Sequence, residues 1–497
     1  MTSTMKLLQT TLLRRHRSNP MPAADSKASP SNDSMIVDLA RNDALPALRV
    51  LRETPKLHQS VKTAVIHAES CVWYGSVKMD LFALVEVFSL LGELPRLQSI
   101  TVDLSDLKVP MAALTALLRG AKALRELHLI NIHLVGDTKA LDEVLKTHNR
   151  LQHVRFLRCT GVAIQSFMAH LPSLKRLELR YSALGERCTT TDVNPWKILG
   201  ASTTLQSLTI QELADLTTDN ALSFCMALSE QQLRGTCQLQ ELHMTSASTT
   251  VDGQQIGQAM ADIFILHSNN CTIKTLTLKF GRTWKTAGHT VASILQRNPG
   301  LSSLCVELTG GNTATSTHAA PILHALTKNN TLKRLKICLD RDMHLDEPLE
   351  DAFQSAIEQV LLQHNHVLQS LVILDENRDR YLLTKDAKLK LELNATKLPA
   401  LLHSHNGTQR DYLNAMIDAN SGNSLDAVFY ALSNQPNLLR DMESLEVSAA
   451  HPTTMKKQQK SLIDSDSESD DESTRYWGIP IVKRKSKRKT IKDFFKV

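Results

Sequence analysis

A six-residue phrase of the form Leu-x-x-Leu-x-Leu recurs along most of this chain, and this repetition restricts the possible folds more than any other feature. Residues 174–179 read LKRLEL. With Ile, Val, Phe or Met accepted at the apolar positions, ten copies occur at spacings of 23 to 36 residues. They start at Leu97, Leu124, Leu151, Leu174, Leu205, Leu239, Ile273, Leu301, Leu332 and Leu368. A weaker copy, VKTAVI, starts at Val61.

Most copies follow a segment with helical periodicity and a short polar hinge. Residues 111–118, 291–295 and 352–362 have the apolar spacing of a helix, and Pro, Gly or Asn often precedes the next copy. One strand and one helix cannot bury their apolar faces alone, so neighbouring units must stack into a continuous core. The pattern therefore predicts an α/β solenoid. A doubly wound sheet is the alternative, but it favours continuous Val/Ile strands and Gly-rich turns, which this sequence lacks.

Changes in composition divide the 497 residues into five segments. Residues 1–40 are predicted to be a disordered basic leader, 41–93 an N-terminal cap, 94–375 the repeat array, 376–445 a helical C-terminal cap, and 446–497 a disordered tail that is first acidic and then basic. Residues 1–24 contain no acidic residue and several arginines, so an organelle transit peptide is the alternative for the leader.

The ten copies and their intervening helices resemble the ribonuclease-inhibitor-like class of leucine-rich repeat proteins over about residues 60–375. The resemblance implies a curved α/β solenoid with parallel strands on the concave face and helices on the convex face. It also implies binding of a protein partner through the concave face. At the ninth position of the repeat only Cys159 has the expected Asn or Cys, so we expect uneven turns.

Because side chains on a strand alternate between faces, each copy contributes outward residues to the concave face. One predicted row contains Thr101, His128, Arg155, Glu178, Thr209 and His243, and the next contains Arg180. These two rows are mixed in charge and contain no aromatic residue. Arg155, Glu178 and Arg180 form the most charged group in adjacent repeats, and we predict that they contact the protein partner.

No motif of nucleophilic, metal-dependent or phosphate-binding catalysis is present. His128 and His243 lie in one predicted row but several repeats apart, so they are not expected to share a metal. No two of the eight cysteines are closer than twelve residues, which is typical of reduced thiols rather than a zinc site. The chain has no run of 18 apolar residues, so no membrane span is predicted. We therefore expect a non-enzymatic protein without a cofactor or metal.

The tail carries the more specific signals. A basic run is typical of nuclear import and consists of Lys483, Arg484, Lys485, Lys487, Arg488 and Lys489. Four serines have an acidic residue three positions later and are candidate phosphorylation sites: Ser461, Ser465, Ser467 and Ser469. Phosphate charge there could mask the basic run. We predict a nuclear protein, with the cytoplasm or an organelle as alternatives. Nucleic acid is not an expected partner except through the basic run.

The last residues are similar to a sliding-clamp interaction motif. Ile491, Phe494 and Phe495 occupy its three hydrophobic positions, and Arg488 stands where glutamine is expected. One helical turn would place Ile491 and Phe494 on one side, ready to enter a partner's apolar pocket. The sliding clamp is therefore a predicted partner of the tail.

The sequence thus predicts a protein-binding scaffold. A repeat array followed by an acidic stretch also resembles the activating protein of the Ran GTPase, which leaves a GTPase-activating function as an alternative. A substrate adaptor of a ubiquitin ligase is a further alternative, although residues 35–60 show no convincing F-box.

Overall fold

The computed structural model describes most of the repeat region. The chain divides into two compact units, residues 1–433 and 434–497, and all described residues belong to the first. They are residues 33–39, 48–49, 52–53, 59–68, 81–184, 194–248, 250–267, 271–280, 283–284, 287–308, 314–339, 356, 359–360, 365, 367–374 and 383–395. The predictions for residues 1–24, for most of the C-terminal cap and for the tail lie outside them.

Within the described residues, twelve parallel strands form one sheet, in which each strand pairs with its neighbours in sequence. The strands are β1 Ser34–Asp38, β2 Thr63–His67, β3 Ser99–Pro110, β4 Glu126–Val135, β5 His153–Leu157, β6 Arg176–Arg180, β7 Ser207–Gln211, β8 Glu241–Thr245, β9 Thr275–Lys279, β10 Ser303–Leu308, β11 Arg334–Leu339 and β12 Ser370–Leu374. A strictly sequential order of parallel strands is the signature of a solenoid and not of a doubly wound sheet.

Helices alternate with the strands and pack on one face of the sheet. Within the described ranges they are α1 Leu81–Gly92, α2 Met111–Gly120, α3 Lys139–Thr147, α4 Ala163–His170, α5 Pro195–Gly200, α6 Thr218–Leu233, α7 Gly253–Leu266, α8 Ala287–Arg297, α9 Ala314–Lys328 and α10 Lys385–Ala395. Successive helices from α1 to α9 contact one another. No helix in the part of the chain that is described is long and apolar enough to cross a membrane.

The repeated leucines form the core between the sheet and the helices. Leu127, Leu177 and Leu276 are completely buried, as are their counterparts in most repeats. Each such side chain contributes roughly 1.5–3 kcal/mol relative to its exposed state. The predicted fold class, an α/β leucine-rich repeat solenoid, is confirmed. We call the helix-free face of the sheet, the concave face of the predicted solenoid, the open face.

The sheet begins earlier than the sequence predicts. The weak copy at Val61 forms β2, and β1 pairs with it in register from Ser34 to Asp38. Met35 and Val37 of β1 are buried. The prediction of a disordered leader is therefore wrong for residues 34–38. A short apolar run, Met35 to Val37, was sufficient for a strand there, although the full repeat phrase is absent.

The turns after the strands are uneven, as expected. At the ninth position, the Cys159 thiol donates to the Leu129 carbonyl at 3.2 Å, and the Cys159 backbone N–H donates to the Ser182 hydroxyl at 3.1 Å. In other repeats the same position holds a buried apolar residue, such as Ile132 or Leu213. Side-chain hydrogen bonds thus connect only some adjacent turns, and apolar packing connects others.

A ladder of buried asparagines lines the opposite turns, which lead from helix to strand. Its members in these turns are Asn298, Asn329 and Asn365, and Asn394 of α10 continues it after β12. Asn329 Nδ2 donates to the Leu295 carbonyl at 2.6 Å, and Asn365 Nδ2 donates to the Leu326 carbonyl at 2.9 Å. Asn329 and Asn365 therefore each connect their repeat to the preceding one, and Asn394 extends the ladder beyond the last described strand by donating to the Leu368 carbonyl.

Candidate functional site on the open face

The parallel register places outward residues of successive repeats side by side. His128 pairs with Arg155, Arg155 with Glu178, and Glu178 with Thr209. The rows predicted from the repeat alignment are therefore those of the structure. Most outward side chains between β4 and β6 are half-buried rather than fully solvated, because their neighbours in the row cover them.

Glu178 brings the predicted charged group together. Its Oε2 lies 3.1 Å from Arg180 Nη2 and 3.7 Å from Arg155 Nε, and its Oε1 lies 3.4 Å from His153 Nε2. The Glu178 side chain is only 14% exposed, whereas the two arginines are 33% and 36% exposed. One shielded carboxylate thus forms ion pairs with two guanidinium groups that still reach the surface, and the pair with Arg180 is the shorter.

Several interactions hold the pKa of Glu178 at about 2, well below its usual range. Hydrogen bonding with the His153 ring is the largest cause, and the positive charges of Arg180, His153 and Arg155 add to it. Burial acts in the opposite direction but is outweighed. Glu178 is consequently ionised at any physiological pH.

An exposed tyrosine that the two predicted rows did not include lies beside this group. Tyr181 follows β6 at the eighth position of its repeat, has a φ of 50° and is 50% exposed. Its hydroxyl accepts a hydrogen bond from Gln211 Nε2 at 2.9 Å. Arg158, the equivalent residue of the preceding repeat, has a φ of 54° and is also exposed. The eighth position of the repeat lies in the turn, outside the two predicted rows of strand residues. An exposed Arg or Tyr at this position in adjacent repeats is the sequence signal that could have identified it.

Together these residues form a patch with the composition of an interface hot spot. We call Arg155, Arg158, Glu178, Arg180 and Tyr181 the Arg–Tyr patch. Tyr and Arg are enriched among residues that dominate binding energy. The patch contains three guanidinium groups and one carboxylate, which leaves it positively charged.

A second group on the open face consists of Glu126, His128 and His153, which we call the histidine cluster. One potential ligand atom from each residue lies within 4.8 Å of the other two. The His128 and His153 rings meet edge to face with centroids 4.8 Å apart. Burial is the main cause that lowers the pKa of His128, and nearby His153 adds to it.

His243, the histidine predicted to share a row with His128, is not its neighbour in the structure. His243 lies four strands away, on β8, and its Nδ1 is hydrogen-bonded to Thr277 Oγ1 at 2.7 Å. The neighbour of His128 is His153, which is the register partner of Glu126 on the adjacent strand β5. The prediction that no metal is bound therefore rested on an incomplete set of neighbours.

Two thiols lie further along the open face, on adjacent strands β10 and β11. Hydrogen bonding from the Cys305 thiol, together with the charges of Lys279 and Lys336, lowers the pKa of Cys338, and the pKa of Cys305 is raised. By contrast, complete burial raises the pKa of Cys225 in α6 to about 12. All six cysteines of the described residues are free thiols.

The predicted tail residues lie outside the described residues. They are the hydrophobic Ile491, Phe494 and Phe495, the basic run from Lys483 to Lys489, and the four candidate phosphorylation sites from Ser461 to Ser469.

Comparison with known proteins returns a distant structural similarity. No protein-family model matches the chain, and no curated protein matches it. Among solved structures, the chain is similar to the leucine-rich repeat-containing protein LegL7 from Legionella pneumophila, with 12% sequence identity and a TM-score of 0.33. The match covers 72% of this chain and 96% of LegL7.

Proposed function

We propose that the protein is a non-enzymatic scaffold that binds a protein partner through the open face, with the Arg–Tyr patch at the centre of the contact. The observation that carries this proposal is the exposed Tyr181, whose hydroxyl is bonded to Gln211, the register partner of Arg180. A rigid aromatic side chain beside arginine is the composition that most often dominates a protein interface.

The patch is arranged before any partner arrives. Glu178 holds the Arg155 and Arg180 side chains, and Gln211 holds the hydroxyl of Tyr181. Side chains that are already ordered lose less conformational entropy on binding, so more of the contact energy contributes to affinity. The parallel sheet beneath them provides a rigid support.

The charge of the patch indicates the chemistry of the partner. Arg158 and Arg180 can each form paired hydrogen bonds with a carboxylate. We therefore expect the partner to present acidic side chains around an apolar or aromatic group that packs on Tyr181.

Substitution of the two turn residues tests this function. Asparagine tolerates a positive φ, so Arg158→Asn combined with Tyr181→Asn removes the contact groups with little strain on the turns. Proteins recovered by affinity purification with the full chain should be lost with this double variant. They should be retained with the control variant Met226→Ala, which changes an exposed residue of α6 on the helix layer.

A chain ending at residue 445 completes this test. Partners that survive this truncation belong to the repeat region, and those that are lost with it belong to the tail. An unchanged set of partners in the Arg158→Asn/Tyr181→Asn variant, at equal thermal stability, would contradict the proposal.

For the tail we propose two roles that rest on sequence alone. The basic run from Lys483 to Lys489 directs nuclear import, and acidic substitution of Ser461, Ser465, Ser467 and Ser469 should reduce nuclear accumulation if phosphate masks it.

The second role is docking of Ile491, Phe494 and Phe495 on the sliding clamp. A peptide of residues 486–497 should bind the clamp, and Phe494→Ala with Phe495→Ala should abolish binding; a peptide that does not bind excludes this role.

A further inference from the structure

We propose that Glu126, His128 and His153 bind a divalent transition-metal ion of the zinc class on the open face. This site adjoins the Arg–Tyr patch through Glu178 but does not depend on the proposed function.

The fold brings the three side chains to one place. Glu126 and His153 are register partners on β4 and β5, and His128 follows Glu126 by two residues, so all three point to the same face. Their potential ligand atoms lie within 4.8 Å of one another. Ligand atoms that share a zinc ion at about 2.0–2.2 Å lie roughly 3.3 Å apart. Small rotations of half-buried side chains, without movement of the strands, would close this difference.

His128 supplies the observation that points to a ligand. Its Nε2 is buried and has no hydrogen-bond partner among the described residues. A buried polar atom without a partner is unfavourable by about 1–3 kcal/mol, and a metal ion at this nitrogen would relieve that penalty.

Neighbouring groups orient the other two ligands. Ser99 Oγ donates to Glu126 Oε2 at 3.0 Å, which leaves Oε1 to the cluster. Glu178 Oε1 lies 3.4 Å from His153 Nε2 and stands where metal sites place the carboxylate that orients a ligating histidine. The carboxylates of Glu126 and Glu178 also offset the charge of the ion next to Arg155.

The ligand set determines the class of ion. Two imidazoles and one carboxylate suit zinc, cobalt, nickel or copper, whereas calcium and magnesium prefer oxygen ligands. Three protein ligands leave a fourth position open for water.

Titration of the metal-freed full chain tests the site. Cys305→Ser with Cys338→Ser serves as the background, because thiols also bind zinc. We expect one equivalent of Zn²⁺ by calorimetry and a Co²⁺ spectrum without a thiolate band. His128→Gln and His153→Gln should each weaken the affinity at least tenfold. His243→Gln, which alters a histidine bonded to Thr277 on the same face, should leave it unchanged.

A second measurement keeps the test independent of folding defects. Zn²⁺ should raise the Tm of the parent chain, and this rise should disappear in the His128→Gln/His153→Gln double variant. The Tm values of the two chains without metal show whether the substitutions alter folding. Equal zinc affinity in the parent and the double variant, an equal loss in His243→Gln, or no zinc binding at all would overturn the proposal.

Discussion

At the scale of single residues, Glu178 determines the electrostatics of the open face around β5 and β6. It is the carboxylate within the Arg–Tyr patch, and it approaches Arg155, Arg180 and His153. Its folded pKa of about 2 lies below the ordinary value of 4.5. A depressed carboxylate pKa stabilises the fold fully above the unfolded value, and this stabilisation is lost as the pH falls from about 4.5 towards 2.

Glu178→Gln should therefore destabilise the protein at pH 7 by about 1–2 kcal/mol, a value reduced because both arginines are partly exposed. The difference between the wild type and this variant should shrink between pH 4.5 and pH 3. Urea unfolding with a metal chelator present measures it. Glu143→Gln is the matched control, since Glu143 forms an exposed pair with Lys146. A pH-independent difference would show that Glu178 acts through packing and not through charge.

Cys338 is the second residue with unusual chemistry. Cys305, Lys279 and Lys336 lower its pKa, so more of it is thiolate at neutral pH than in an ordinary cysteine. Iodoacetamide at pH 7 should modify Cys338, which is 9% exposed, faster than Cys225, which is 1% exposed, in the folded protein. Lys279→Met should slow the reaction at Cys338 by removing one of the stabilising charges. Peptide mass spectrometry over time gives both rates, and equal rates at Cys338 with and without Lys279 would contradict this explanation.

At the scale of elements, the repeat phrase was sufficient to predict most strands, and the asparagine ladder explains how the turns before β10, β11 and β12 are held. Inward leucines predicted β3 to β12 because burial requires an apolar residue at the same three places in each repeat. The hinge asparagines were recognised only as helix breakers. Their buried hydrogen bonds to the previous repeat depend on the stacking distance, which a single repeat cannot reveal.

Adjacent residues Asn329 and Asn330 provide a direct test of the ladder. Asn329 Oδ1 accepts from the backbone N–H groups of Thr331 and Leu332 at 3.1 and 2.8 Å, whereas Asn330 is exposed. Asn329→Ala should destabilise the protein by about 2–4 kcal/mol, because buried backbone groups lose their partners. Asn330→Ala should change the free energy of unfolding by less than about 0.5 kcal/mol. Chemical denaturation measures both, and similar values for the two variants would refute a structural role of the ladder.

At the scale of the whole molecule, the sheet topology and the outward rows could be predicted, but the clusters on the open face could only partly be predicted. Alignment of the repeats predicted the charged group of Arg155, Glu178 and Arg180, because these residues lie in two adjacent outward rows. Tyr181 was missed because its exposure depends on a positive φ at a turn. His153 was missed because its contact with His128 is diagonal between two rows. These features arise from the geometry between repeats and not from the pattern within one.

The N-terminal edge of the sheet leads to a prediction for the molecule as a whole. In a solenoid each repeat is covered by its neighbours, so a terminal unit must protect the last one. β1 covers β2 with the buried side chains of Met35 and Val37. Lys62, which precedes β2, forms an ion pair with Asp33, which precedes β1, at 2.7 Å. Without β1, the backbone groups of β2 would form an open edge that can pair with another chain.

Deletion of residues 1–58 should therefore lower the Tm and cause concentration-dependent self-association, because it exposes the edge of β2 and the apolar residues Ala64 and Ile66. Deletion of residues 1–32 retains β1 and should leave both properties unchanged. Sedimentation velocity at several concentrations and thermal unfolding distinguish the two chains. Identical behaviour of both deletions would mean that β1 does not protect the sheet, and that the first repeat is stabilised through α1 and β3 alone.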